Sequence, residues 1–249
     1  MRALRFILWL VLTITFVTAI ATAHVGPSKD DNNRYLKLTP QRDRVRLAYT
    51  VFFGEVPGAR MRPAIDTDRD GVISEREAQA FGDKLADEVA ASLDLNLDNT
   101  QHEVVWDQIV VGMGSPQVRG GAFSVDLVAL LCVGPGTTHE LLLRDRFKLL
   151  SPGETEVKIE DTHGITNRIV KLGSTTDHVI KFVGPGGPLA DDGVHLTFDV
   201  TDQAAAASSA CAAVVRKDPT RVPATLVICV AALIAFALAA IVTWLRRRR

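Results

Sequence analysis

The stretch at residues 66–95, DTDRDGVISEREAQAFGDKLADEVAASLDL, interrupts a chain of short apolar segments with a different hydrophobic period. Its apolar side chains recur at steps of three or four residues, which would form one stripe on a helix: Ala78, Phe81, Leu85, Val89 and Leu93. Ser74 is the predicted N-cap, with Glu77 in the position that completes a capping box. The sequence therefore predicts one amphipathic helix at about residues 75–93.

The chain on both sides of this stretch is rich in strand candidates, each bounded by Gly, Pro or polar turn residues. They are RYLKL (34–38), RVRLAYTVFFG (44–54), HEVVWDQIVVG (102–112), FSVDLVALLCV (123–133), HELLLRDRF (139–147), TEVKIED (155–161), NRIVKLG (167–173), DHVIKFVG (177–184) and GVHLTFDV (193–200). The last of them alternates apolar and polar residues, as a strand with one buried face does. Strands at this spacing predict a mainly β fold in the form of a β-sandwich-like domain.

The segment at residues 66–77, DTDRDGVISERE, has oxygen-bearing residues at the spacing of a calcium loop. The predicted ligands stand at positions 1, 3, 5, 7 and 12: Asp66, Asp68, Asp70, the backbone carbonyl of Val72, and Glu77. Gly71 at position 6 permits the sharp turn that such a loop needs. The alternative interpretation is an acidic turn that does no more than cap the following helix at Ser74.

This loop resembles the EF-hand family at each of these positions, and the resemblance implies Ca²⁺ as the cofactor. Pro57 and Pro63 leave room for little more than one or two turns of helix before the loop, because proline disrupts a helix interior. EF-hand loops usually occur in pairs that share a short β contact, and the sequence has no second loop. A lone loop outside the cytoplasm is expected to bind weakly, at about 10⁻⁴–10⁻³ M, and to be structural rather than sensory.

A longer stretch, at residues 35–98, resembles the N-terminal extracytoplasmic domain of bacterial nickel/cobalt transporter-like membrane proteins. It joins LKLTPQRDRVRLAYTVFFGEVP (36–57) to the acidic loop and the predicted helix. In that family a polytopic permease follows, and this sequence has none. The resemblance implies an alternative function as an accessory protein in nickel/cobalt or copper handling, with a metal-transport system as the partner. His24 would add an N-terminal chelating group after cleavage at Ala23.

The two ends of the chain predict export and membrane insertion. Residues 1–23 combine a basic start, an apolar run and the ending ATA, as a cleaved signal peptide does; the alternative is an anchor helix that is not cleaved. The uncharged segment 222–245 is long enough to cross about 30 Å of hydrocarbon, and the four arginines at 246–249 suit the cytoplasmic side. Residues 24–201 are then an extracytoplasmic domain, joined by an Ala/Ser-rich linker at 202–221 to a single type I span. The absence of an Asn-x-Ser/Thr sequon favours a bacterial, and so periplasmic, location.

Charge and motif content argue against two other classes of function. The part between the two apolar ends holds 22 of the 28 Lys and Arg and all 29 Asp and Glu, a net charge of -7, which does not suit nucleic-acid binding. Asp161 and His163 lie close together in DTHG, but no nucleophile motif accompanies them, so no enzyme is predicted. Cys132 is predicted to be a buried thiol, with a Cys132–Cys211 disulfide as the alternative.

Overall fold

The computed structural model describes residues 30–201, except 174, 185 and 186. The predicted signal peptide, His24, the linker, Cys211 and the predicted span all lie outside the described residues. Within the described part of the chain, no helix has the length and apolar character needed to cross a membrane.

The described domain is mainly β, as the sequence predicts, and its strands form two sheets. The strands are β1 (Asn32–Pro40), β2 (Arg44–Phe53), β3 (Leu93–Leu97), β4 (Thr100–His102), β5 (Gln108–Gly112), β6 (Phe123–Cys132), β7 (Thr138–Asp145), β8 (Pro152–Ile159), β9 (Ile165–Leu172), β10 (Val179–Val183) and β11 (Val194–Val200). A six-stranded sheet has the order β10-β8-β1-β2-β6-β5, and a five-stranded sheet has the order β4-β3-β7-β11-β9. Neighbouring strands are antiparallel, except that β1 and β8 are parallel.

Three helices lie among the described residues, at α1 (Glu55–Ile65), α2 (Glu75–Ser92) and α3 (Pro188–Asp191). The second is the amphipathic helix that the sequence predicts. Its Ala78, Leu85 and Val89 are buried, and Phe81 packs against the core from a partly exposed position. The helix ends at Ser92, so Leu93, predicted as its last residue, is instead the first residue of β3, where it also packs against the core. β3 continues directly from α2, so the chain passes from helix to sheet without a loop.

Both sheets contribute side chains to one hydrophobic core. In β2 the buried residues alternate with partly exposed ones, which places every second side chain on the same face. β11 confirms the face predicted from its sequence, because Val194, Leu196, Phe198 and Val200 are all buried.

Two local predictions are wrong. The predicted strand 102–112 is interrupted, since β4 ends at His102 and β5 begins at Gln108. Trp106, in the interruption, is buried and donates its indole N–H to the carbonyl of Ala86 in α2 at 2.8 Å, a partner that a buried indole requires. Cys132 is only half-buried and is disulfide-bonded. The alternation of β6 places the buried face on the residues at odd numbers, which leaves Cys132 on the other face.

A buried polar network joins the two sheets. Arg34 in β1 donates to Asp145 at the end of β7 at 2.7 Å, and the hydroxyl of Tyr49 in β2 donates to the same carboxylate oxygen at 2.8 Å. The other oxygen of Asp145 accepts the backbone N–H of Phe147 at 2.8 Å. Arg34 is 2% exposed and Asp145 is 0% exposed, so the pair lies wholly away from solvent.

Candidate metal centre

The predicted calcium loop lies between two helices. The helix that precedes it, α1, has 11 residues, so the expectation of one or two turns is wrong. Pro57 stands in the first turn, where backbone N–H groups have no intrahelical acceptor, so its missing N–H removes no hydrogen bond. Pro63 lies inside the helix near its end at Ile65, and its missing N–H leaves the carbonyl of Ala59 without that intrahelical donor.

The helix that follows the loop begins as the sequence predicts. The Ser74 hydroxyl accepts the backbone N–H of Glu77, and the Glu77 carboxylate accepts the backbone N–H of Ser74 at 3.0 Å, which completes the capping box. Ile73, just before the cap, is 3% exposed and belongs to the core. The loop is therefore held between a capped helix and a buried isoleucine.

The three aspartates of the loop come together. One carboxylate oxygen from each of Asp66, Asp68 and Asp70 lies within 4.8 Å of the others. Two of these side chains also fold the loop, since Asp68 accepts the N–H of Asp70 at 3.2 Å and Asp70 accepts the N–H of Val72 at 2.7 Å. The residues predicted to stand at positions 1, 3 and 5 thus face a common point.

Asp66 is the buried member of this group, with 7% of its surface exposed. Its Oδ2 accepts the N–H of Gly71 at 3.1 Å, a contact that the positive φ of 88° at Gly71 makes available. Its Oδ1 is buried and accepts no hydrogen bond from the described residues. A buried carboxylate oxygen without a donor is unfavourable unless a cation satisfies it.

Glu77 does not join the three aspartates. One of its carboxylate oxygens accepts the N–H of Thr67 at 2.6 Å and the Thr67 hydroxyl at 2.7 Å, and the other accepts the Ser74 hydroxyl at 2.8 Å. These donors, first of all the Thr67 hydroxyl, lower the pKa of Glu77 to about 2. The predicted position-12 ligand therefore fastens the beginning of the loop to its end, and it stays ionised.

A segment that the sequence did not predict holds the middle of the loop. The N–H of Ile73 donates to the carbonyl of Pro116 at 2.7 Å, and the N–H of Val118 donates to the carbonyl of Gly71 at 3.1 Å. These two bonds form an isolated antiparallel bridge that centres on Val72. The carbonyl of Val72, a predicted ligand, takes part in neither bond.

Arg62 of α1 holds the segment at residues 113–122 through hydrogen bonds to its backbone. It is 0% exposed, and within the described part of the chain its guanidinium donates to backbone carbonyls between β5 and β6: those of Met113, Ser115, Gln117, Gly121 and Ala122. The sequence of α1 gives no signal for such contacts, because the acceptors of Arg62 lie about fifty to sixty positions away. The glycine pair at 120–121 was the available hint of a close backbone approach.

None of the described histidines joins the aspartates. Within the described part of the chain, Asp66, Asp68 and Asp70 are the only group of His, Cys, Asp and Glu close enough to hold one ion. His139, the buried histidine, instead pairs with Asp98 at 2.8 Å. The donor set of the candidate site is therefore made of oxygen.

Compared by sequence, the chain matches no protein-family model and no curated protein. The interpretation of the loop rests on its own residues and their geometry.

Proposed function

We propose that the protein is a membrane-anchored, extracytoplasmic calcium-binding protein that holds one Ca²⁺ in the loop at residues 66–77. Its β-rich part would be a sandwich-like domain exported by the predicted signal peptide and tethered by the predicted span. The observation that carries calcium binding is the buried Oδ1 of Asp66, which lacks a hydrogen-bond donor and lies in a group of three carboxylates. Asp66, Asp68, Asp70 and the carbonyl of Val72 would hold the ion, and Glu77 would complete the set by exchanging its bonds to Thr67 and Ser74 for the ion.

The chemistry of these donors favours Ca²⁺ over the transition metals. Carboxylate and carbonyl oxygens are the hard ligands that calcium prefers, whereas nickel and copper favour imidazole nitrogen. The described histidines lie outside the group. Nickel/cobalt or copper handling therefore remains the second candidate, supported by the transporter-like resemblance and His24 alone.

Calcium titration of the full chain in detergent tests the proposal. About 10 mM Ca²⁺ is roughly 10–100 times the Kd expected of an extracellular loop, which corresponds to about 1.4–2.7 kcal/mol of stabilisation. For a domain of this size, that stabilisation raises Tm by roughly 3–11 °C. Thermal unfolding with and without Ca²⁺ measures the shift, and isothermal titration measures the Kd.

Matched variants separate a specific site from general charge effects. Asp66→Asn and Glu77→Gln should abolish most of the calcium-induced shift in Tm. Glu75→Gln makes the same change of charge on the exposed first turn of α2 and should retain the shift. An equal shift in Asp66→Asn and in the unsubstituted protein contradicts the proposal. A response to Ni²⁺ or Cu²⁺ that survives Asp66→Asn supports the second candidate.

A further inference from the structure

We propose that residues 113–122, here called the loop arm, set the calcium affinity of the loop, and that Arg62 is the positioning residue through which they do so. This inference rests on the proposed function. In this proposal the loop arm makes the short backbone contact that a second calcium loop makes in a pair. None of the loop arm's residues needs to touch the ion.

The loop arm holds the calcium loop on both sides of a predicted ligand. Gly71 and Ile73 each make one backbone hydrogen bond to the arm, at 3.1 and 2.7 Å, and Val72 lies between them. Fixing both neighbours fixes the peptide plane that carries the Val72 carbonyl. A ligand that is ordered before binding loses less conformational entropy when the ion arrives, so the arm raises affinity without adding a contact.

Arg62 explains why the arm keeps its shape. Its guanidinium is fully buried, and among the described residues its hydrogen bonds all go to carbonyls of the arm. A buried arginine needs its donors satisfied, so losing the arm's conformation leaves a buried charge without acceptors. The side chain also lies over the ring of Phe123, 5.6 Å from its centroid, which ties the same group to the core.

The packing between α1 and the loop arm is tight at two glycines. A Cβ added to Gly120 would lie 2.7 Å from the guanidinium carbon of Arg62. A Cβ added to Gly58 in α1 would lie 2.7 Å from the carbonyl oxygen of Gly121. The backbone of Gly120 therefore lies in close contact with the guanidinium of Arg62. A methyl group added at Gly120 would push the loop arm away from Arg62.

The test compares two glycine-to-alanine variants of the full chain. Gly120→Ala inserts the methyl group beside Arg62. Gly134→Ala inserts one where no atom lies within 4 Å, and it serves as the matched control. Isothermal titration should show a Kd for Ca²⁺ about tenfold weaker in Gly120→Ala, a typical size for coupling between sites, and an unchanged Kd in Gly134→Ala. Equal affinity in the two variants overturns the proposal.

Arg62→Lys tests the positioning residue itself. Lysine keeps the charge but offers one ammonium group in place of the planar guanidinium that reaches several carbonyls. The expected result is again a weaker Kd for Ca²⁺ with every ligand present. Phe198→Leu, a core change in β11 of the other sheet, lowers stability without touching the arm and should keep the original Kd. A Kd that weakens as much in Phe198→Leu assigns the effect to general destabilisation and overturns the proposal.

Amide hydrogen exchange in the unsubstituted protein gives a readout that needs no variant. Because coupling is reciprocal, Ca²⁺ should slow exchange at the amides of Ile73 and Val118 by about tenfold. The amide of Ile165 serves as the reference. Its N–H donates to the carbonyl of Thr162 at 3.0 Å, in a turn that is not part of the calcium loop or the loop arm. Slowing that is equal at all three amides overturns the proposal. The absence of calcium binding in the unsubstituted protein defeats the proposed function instead, so the two failures are distinguishable.

Discussion

The buried ion pair between the two sheets predicts a large loss of stability when one partner is removed. Asp145→Asn takes the negative charge away from Arg34, which is 2% exposed and lies 2.7 Å from the carboxylate. Breaking a buried pair in this way typically costs about 3–5 kcal/mol, because the remaining charge is left without compensation. That cost is a large fraction of the roughly 5–15 kcal/mol that holds a domain folded.

The ionisation of Asp145 decides the size of this effect. Burial raises the pKa of the Asp145 carboxyl, whereas Arg34, the N–H of Phe147 and the hydroxyl of Tyr49 act to lower it. With Arg34 at 2.7 Å and two further donors in place, we take the pair as ionised near neutral pH. An Asp145 that is neutral in the folded protein would make the substitution nearly silent.

Urea unfolding of the full chain in detergent measures the change in the free energy of unfolding. We expect a loss of about 3–5 kcal/mol for Asp145→Asn. The double variant Arg34→Met/Asp145→Leu removes both charges and should recover part of that loss, since apolar replacements of buried pairs are often neutral or stabilising. Recovery is incomplete because the Tyr49 hydroxyl and the Phe147 N–H lose their acceptor. A loss below about 1 kcal/mol, the value of an exposed pair, refutes the reasoning. So does a double variant that is no more stable than the single one.

Three further predictions concern the loop and the helix beside it. Without calcium, stability should fall as pH drops from about 4.5 towards 2, because the pKa of Glu77 is lowered in the folded state and protonation then breaks its bonds. Unfolding at pH 5 and pH 3, in buffers freed of calcium on a chelating resin, should show a smaller drop for Glu77→Gln than for Glu75→Gln. Trp106→Phe removes the indole bond to the Ala86 carbonyl, which keeps its helical donor in α2, and should cost about 0.5–1.5 kcal/mol in urea unfolding, whereas an unchanged midpoint contradicts that hydrogen bond. Removal of calcium with EGTA should leave the far-ultraviolet circular dichroism unchanged, because the loop's ends are already held by the protein, and a lost β signal would show that the ion is needed for folding.

The features that the sequence predicted are those with a local period or a local hydrogen bond. Alternation at Val194, Leu196 and Phe198 was sufficient to place β11, and its predicted face is buried. The start of α2 was predicted because Ser74 and Glu77 stand three residues apart and bond to each other. Each of these signals needs only the residues next to it in the chain.

The features that the sequence did not predict depend on contacts between distant residues. The interruption around Trp106 forms because the indole N–H reaches Ala86, 20 positions earlier. The loop arm has no strand pattern of its own, and it is shaped by Arg62 more than fifty positions before it. Secondary-structure propensity and hydrophobic periodicity depend on residues within one helix or strand. They therefore cannot predict that a buried guanidinium donates to backbone carbonyls far along the chain.

The same division explains how the proposed calcium loop could be held in place without a second loop. Glu77 joins the two ends of the loop through Thr67 and Ser74, and Ile73 anchors it in the core. The loop arm supplies the backbone bridge to Val72, which is the contact that paired loops share with each other. The sequence has no second loop to make this contact, and the connection between β5 and β6 makes it instead. Within the described residues, the buried Oδ1 of Asp66 still has no hydrogen-bond donor, and a bound cation would satisfy it.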